Sequence, residues 1–254
     1  YWPRGKVLGG SSSINAMVYV RGQAEDYDDW RDAGNPGWGW DDVLPMYKRM
    51  ESHAWGESAF HGGSGPIGIM APSRELHPSC EYFFRACEEA GLQRNPDFNG
   101  ERQEGTGPFH LTIRNGRRMS ASRGYHWPAR KRANLRIETG ADVQRILFEG
   151  KRAVGVEYRR NGTTHRAMAA AEIILSAGTI GSPKLLMLSG IGPADVLGAL
   201  GIGSVADSPM VGKNLQDHFD IGLTYRTTVP TLNDVLNPWH GKMWAGLLSR
   251  MALT

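Results

Sequence analysis

Cysteine is scarce in this 254-residue chain, which holds two, Cys80 and Cys87. They stand seven positions apart in a stretch that reads as one helix. Helical rise over that interval separates their backbones by roughly 10 Å, beyond disulfide reach. A disulfide-stapled fold is thereby excluded, and both thiols are expected to be reduced and half-buried. Zinc spacings are also missing: the eight histidines are scattered and none falls in a His-Glu-x-x-His pattern. No apolar run reaches the roughly 18 residues that a membrane-spanning helix requires. The charge excess is small, 29 basic against 26 acidic residues for a net +3, which provides no electrostatic footing for nucleic acid or a lipid surface. The dense basic patch Arg117, Arg118, Arg123, Arg130, Lys131 and Arg132 is interleaved with Ser, Tyr and Trp and reads as a solvated face. No Gly-x-Gly-x-x-Gly triplet stands in a strand–turn–helix context. The loop His61-Gly62-Gly63-Ser64-Gly65-Pro66 is glycine-rich but lacks the Gly-Lys-Ser/Thr ending of a phosphate loop. Internal repeats and low-complexity tracts are absent as well.

Glycine, by contrast, is abundant: 33 of the 254 residues, nearly twice the usual share of about 7%. Turn and cap signals divide the chain into short elements. Helices are expected over Asp26–Ala33, from Asp41 with Pro45 in its first turns, over Glu81–Ala90 after Pro78, over Ser182–Leu188 and over Pro193–Leu200. In the third of these, Phe83, Phe84 and Cys87 form the apolar side. Strands are expected over Gly107–Arg114, Leu135–Glu138, Val143–Phe148, Val154–Arg159, Thr164–Ala169 and Ile173–Ser176, with hairpin turns at Gly150-Lys151 and Asn161-Gly162. Trp38 and Trp40 flank Gly39 and are expected to pack against the body.

The most informative stretch is Arg4-Gly5-Lys6-Val7-Leu8-Gly9-Gly10-Ser11-Ser12-Ser13-Ile14-Asn15. Paired glycines followed by three serines leave backbone amides bare, able to close on a phosphate or a flat ring. With the following Ala16-Met17-Val18-Tyr19-Val20-Arg21-Gly22 it resembles the first signature of the glucose-methanol-choline (GMC) flavoprotein oxidoreductases. Gly181-Ser182-Pro183-Lys184-Leu185-Leu186-Met187-Leu188-Ser189-Gly190-Ile191-Gly192 is similar to that family's second signature. Asn134-Leu135-Arg136-Ile137, Ala153–Tyr158 and Val211–His218 also resemble family segments, so the likeness runs from residue 1 to about residue 235.

The resemblance implies an α/β fold, α+β overall: a Rossmann-like FAD-binding domain interleaved with an antiparallel-sheet substrate domain, incomplete at both ends. Residues 1–74 and 116–224 would belong to the first, and 75–115 and 225–254 to the second. It further implies an internal fragment, lacking the family's opening pyrophosphate turn and its closing histidine pair, so no catalytic residue is expected within the chain. Expected cofactor-binding residues are Val7, Gly9, Gly10, Ser11, Asn15, Ala16, Met17, Val18, Val143, Ala177 and Gly178. On the residues alone, Asn15 also reads as a turn cap and Val143 as ordinary strand core. Ile14 occupies the position where some relatives carry a histidine bonded to the flavin, so FAD is expected to be noncovalent. The implied reaction is oxidation of a primary alcohol by hydride transfer to flavin N5, with a small-molecule alcohol as substrate and oxygen, a quinone or a dye as electron acceptor. The alternatives are a hydroxynitrile lyase of the same fold and an inactive chain with a structural role. No metal, nucleic-acid partner or transmembrane segment is expected. The Asp217-His218 pair is not expected to be catalytic, because adjacent side chains rarely face one site.

Overall fold

In the computed structural model of the chain, the described residues are 2–72 and 76–236. Most of the segment expected to open the second part of a substrate domain, residues 237–254, lies outside them, as does the expected boundary at 74 and 75. Backbone contacts divide the chain into two compact units, Tyr1–Leu135 with Tyr225–Thr254, and Arg136–Thr224.

The first unit starts with the glycine–serine loop, which leads into β1 (Val18–Tyr19). Helix α1 (Ala24–Asp32) starts where Gln23 and Asp26 cap each other reciprocally, with Glu25 and Asp26 in its first turn and Arg31 in its last. Helix α2 (Trp40–Met50) follows with the same charge order, Asp41 and Asp42 early, Lys48 and Arg49 late. Tyr27, Trp30, Trp38, Trp40 and Tyr47 form one aromatic cluster with ring centroids 5.5–6.0 Å apart, pinning α1 to α2. Without an intervening loop, α2 runs into β2 (Glu51–His53), which pairs in parallel with β3 (Ile67–Ile69). The connecting loop contains Gly62, where a Cβ would lie 1.7 Å from the Lys48 carbonyl oxygen. Its glycine therefore serves backbone-on-backbone packing, consistent with the absence of a phosphate-loop ending.

Helix α3 (Ser79–Glu89) carries both free cysteines, each half-buried as expected. Phe84 is buried under the Arg94 guanidinium, 4.8 Å from its ring centroid, whereas Phe83 is exposed, contrary to the single apolar side expected. The expected strand Gly107–Arg114 divides into β4 (His110–Leu111), antiparallel to β1, and β5 (Ile113–Arg114). The division falls at Thr112, whose N–H turns to the Met17 carbonyl. Asn115 and Gly116, both at positive φ, close a hairpin from β5 to β6 (Arg117–Arg118). A π-helical turn, Ser122–His126, then continues into the short α4 (Trp127–Ala129).

The second unit is built on an antiparallel meander of β7 (Asp142–Glu149), β8 (Arg152–Arg160) and β9 (Thr163–Met168). Its turns fall at Gly150-Lys151 and at Asn161-Gly162, where both residues of the latter have positive φ. Helix α5 (Gly178–Leu188) begins earlier than the Ser182 expected and is tied to the sheet by Ser189, whose Oγ accepts the Ile146 N–H at 2.8 Å. Strands β10 (Ile191–Gly192) and β11 (Ala206–Asp207) pair in parallel across α6 (Ala194–Ala199), which inserts the fully buried Leu197. Two expected strands are not formed among the described residues, Leu135–Glu138 and Ile173–Ser176; Ile174 is 80% exposed. Both runs have the right β-branched composition, but a strand exists only where a neighbour takes its backbone hydrogen bonds. No described helix is long and apolar enough to cross a membrane.

Candidate functional site

Eight of the expected contact residues lie on one continuous segment of the first unit, from Val7 to Val18 at the start of β1. Gly9 (φ +92) and Gly10 (φ +55) reverse the chain into a 3₁₀ turn, Gly10–Ser13. A Cβ on Gly9 would lie 2.5 Å from Ser13 Oγ and 3.0 Å from Ser122 Cβ, whereas one on Gly10 meets nothing within 4 Å. The turn therefore packs on one side and opens on the other. All three serines are held by internal hydrogen bonds. Ser11 Oγ accepts the Gly5 N–H, Ser12 Oγ accepts the Ala121 N–H at 2.9 Å, and Ser13 Oγ donates to the Leu8 carbonyl at 2.9 Å. Asn15 accepts the Met17 N–H at 3.1 Å, which holds Met17 in the left-handed region at φ +65. That conformation costs a non-glycine residue about 1–3 kcal/mol and persists only when its surroundings over-determine it. Here Thr112 supplies the second tie, donating its N–H to the Met17 carbonyl at 2.8 Å. Val7, Leu8, Ile14 and Val18, on and beside the turn, have exposed apolar side chains.

Beneath the turn, β1 leads to a buried polar cluster that local patterning does not disclose. Arg21 Nη2 lies 2.7 Å from Glu51 Oε1, an ion pair by distance whose geometry is off the hydrogen-bond line. The Glu51 carboxylate also accepts the Gly62 N–H at 2.8 Å and faces His61 Nδ1 at 3.0 Å. His61 Nε2 meets Asp97 Oδ2 at 2.8 Å. With a carboxylate at each ring nitrogen, His61 must donate twice and is an imidazolium. His53 stacks on it at 3.9 Å between centroids and bonds His110 through Nε2 and Nδ1 at 3.1 Å. His110 Nε2 faces the Pro96 carbonyl, an acceptor only, so its Nδ1 accepts from His53. His53 Nδ1 then accepts the Trp55 N–H, which leaves both of these rings neutral. Asn99 completes the anchor, accepting the Arg21 N–H and donating to the Tyr19 carbonyl as a strand neighbour would.

The environment separates the three histidines. Burial opposes charge on His61, yet its hydrogen bonds to Asp97 and Glu51 push it up to about 9. Burial and the charged His61 ring stacked on it drive His53 down to about 4. Burial would raise the Glu51 carboxyl, but the His61 hydrogen bond and the adjacent Arg21 guanidinium bring it to about 2. The raised His61 stabilises the fold fully below its unfolded value of 6.5, and this is lost as pH climbs through about 9. The lowered Glu51 stabilises above its unfolded 4.5, and this is lost as pH falls toward 2. The lowered His53 adds a penalty as pH falls from 6.5 to about 4. The cluster's contribution is therefore greatest near 6.5. Thermal melts of the full-length protein between pH 5 and 9.5 should show a falling Tm on the alkaline side that His61→Gln flattens; an unchanged alkaline limb in that variant would contradict the assignment.

The remaining expected residues belong to the second unit. Val143 pairs with Tyr158 beside a bulge in β7. Ala177 donates its N–H to Ser182 Oγ and Gly178 takes φ +85 at the start of α5. His218 donates its backbone N–H to Asp217 Oδ1, a local turn contact between backbone and side chain. Among the described residues no group of three His, Cys, Asp or Glu is arranged to hold a metal ion. Arg118, read from sequence as part of a solvated basic face, is half-buried and turned to the glycine–serine loop. No local signal marks it, because its partners are 103 and 106 positions away.

Comparison with known proteins adds the context. The GMC oxidoreductase profile matches residues 1–220. The chain is 49% identical over 239 residues to the mitochondrial choline dehydrogenase of Homo sapiens, covering 94% of this chain and 40% of that protein. It is 47% identical over 256 residues to the oxygen-dependent choline dehydrogenase of Vibrio vulnificus strain YJ016, covering 99% of this chain and 46% of that protein. The chain thus spans less than half the length of these curated relatives. Among solved structures, pyridoxine 4-oxidase from Mesorbium loti superposes with a TM-score of 0.81 at 41% identity, covering 85% of this chain and 43% of that one. A fungal aryl-alcohol oxidase gives 0.79 at 26% identity, covering 93% and 44%. The mixed helix–strand architecture, the open glycine–serine turn and these matches lead to one assignment: the chain belongs to the glucose-methanol-choline (GMC) oxidoreductase family.

Proposed function

We propose that the whole protein oxidises a small primary alcohol with noncovalently held FAD, and that this chain supplies the wall against the isoalloxazine ring. The supporting observation is the open side of the Gly9–Gly10 turn, where a Cβ on Gly10 would meet nothing within 4 Å. A flat cofactor fits such a place: bare backbone at its centre and exposed Val7, Ile14 and Val18 at its margin. Bound there, the flavin would supply the acceptor for a hydride from the alcohol carbon. The chain's own part is orientation and exclusion of water. Gly9, Gly10 and Ser11 keep the backbone close, Asn15 offers its amide, and Ala16, Met17 and Val18 hold the edge of the loop in place through β1. Val143, Ala177 and Gly178 are proposed to meet the adenosine portion. The activities for which the relatives are named, choline dehydrogenase and pyridoxine and aryl-alcohol oxidase, favour oxidation over the lyase alternative.

The test uses the full-length protein. It should purify yellow, lose its flavin to the supernatant on acid precipitation, and bleach when a primary alcohol such as choline is added without oxygen. Colour retained in the acid pellet would overturn the noncovalent assignment made from Ile14. An unbleached flavin across a panel of primary alcohols would overturn the reaction.

A further inference from the structure

We infer that Arg118 is a positioning residue for the flavin site: it sets which end of the Asn15 side-chain amide faces the cofactor. This rests on the FAD reading above. Arg118 Nη1 lies 2.7 Å from Asn15 Oδ1 and 3.3 Å from the Ser12 carbonyl oxygen. The Met17 N–H approaches the same Asn15 oxygen at 3.1 Å. Guanidinium and backbone N–H groups can only donate, so the amide atom between them must be the oxygen. The two ends of an asparagine amide are usually distinguished only by their partners, and here the partners leave no choice. Asn15 Nδ2, with two hydrogens, is thereby directed elsewhere, and among the described residues no acceptor takes it up.

The consequence is electrostatic. The edge of a flavin that carries O4 and N5 presents acceptors, and negative charge accumulates on the ring system as it is reduced. An amide presenting Nδ2 stabilises that charge, whereas a flipped amide would set oxygen against it. Without Arg118, the Met17 N–H alone would hold the amide, and the shared link to Ser12 and Asn15 would be gone. The same segment ties the loop a second time, because the Ala121 N–H donates to Ser12 Oγ. Loss of Arg118 therefore leaves the loop attached, so its orienting role is separable from folding.

Sulfite, which adds reversibly to flavin N5 and leaves the ring anionic, reports this effect without any turnover. In the full-length holoenzyme, Arg118→Met is expected to weaken sulfite binding about tenfold, the scale of one charge-assisted hydrogen bond, and to lower the flavin reduction potential while the protein still binds FAD. Arg118→Lys, which keeps one donor but not the fork, should fall between wild type and Arg118→Met. If Arg118 acts through Asn15, then Arg118→Met placed on Asn15→Ala should add almost nothing to the effect of Asn15→Ala alone. Effects that multiply instead would show that Arg118 acts independently, and would overturn the proposal. So would wild-type sulfite affinity in Arg118→Met. A wild-type protein that holds no flavin would overturn the FAD reading itself, and this inference with it.

Discussion

Glu51→Gln should destabilise the protein by about 3–5 kcal/mol, the range for removing one partner of a buried ion pair. The carboxylate is fully buried, and so nearly are the groups it serves: Arg21 is 4% exposed and His61 3%. One oxygen, Oε1, faces Arg21, His61 and the Gly62 N–H together. Glutamine preserves the volume but removes the charge: its oxygen can face the donors that Oε1 faces, and its NH₂ then falls at Oε2, a buried position with no hydrogen-bond partner. Arg21 would then lose its buried carboxylate partner, and His61 would keep only the one at Asp97. Denaturant unfolding of the full-length protein is the measurement, with wild type and variant compared at pH 6.5. A loss below about 1 kcal/mol, the usual worth of an exposed pair, would mean that water reaches the cluster. The effect should extend to function, because β1 runs from the glycine–serine turn into Arg21. A variant that folds should hold flavin more weakly.

Gly10→Val is expected to abolish flavin retention while leaving most of the fold intact. Three glycines crowd this turn, and they differ. A Cβ on Gly5 would lie 2.2 Å from the Gly10 carbonyl oxygen, and one on Gly9 2.5 Å from Ser13 Oγ. Side chains at those positions attack the protein itself. At Gly10 the direction is open, so the cost within the chain is confined to φ +55, about 1–2 kcal/mol for an L-residue and more when β-branched. The bulk of valine then falls where the cofactor is proposed to lie. Gly10→Ala separates the two contributions, since it carries the φ penalty with little bulk. Flavin occupancy on purification should fall in the order wild type, alanine, valine, with FAD titration showing more than about a tenfold weaker affinity for valine, a difference of about 1.4 kcal/mol. Full occupancy in Gly10→Val would show that the turn has no part in cofactor binding.

Local chemistry made much of the architecture legible. The helices α1 and α2 were expected close to where they form, and the turn residues Gly150-Lys151 and Asn161-Gly162 marked the meander β7–β9. The same kind of signal at Asn115-Gly116 marks the β5–β6 hairpin, although the single strand read over Gly107–Arg114 obscured it. In the loop, paired glycines anticipated the positive φ of Gly9 and Gly10. The side chains of all three serines turned out to be internal ties. Family membership was legible for a different reason: two long signatures in order are a property of the sequence and do not depend on the fold being known.

Thus the sequence alone determined the family, the places of α1, α2, α3 and α6 and of the β7–β9 turns, the reduced state of the cysteines and the place of the glycine turn. These rest on groups a few residues apart, whose geometry the backbone imposes directly. Only the tertiary structure decided what is buried and charged. Glu51, His61 and Asp97 are ordinary surface residue types in a linear reading, and nothing local predicts that 36 positions would bring His61 Nε2 onto Asp97. It also decided that Ile173–Ser176 has no strand partner among the described residues, and that Arg118 faces Asn15 rather than solvent. The physical reason is common to all three. A charge's protonation, a strand's hydrogen bonds and an amide's orientation are set by whatever the fold places opposite them, and that is absent from the local pattern of residues.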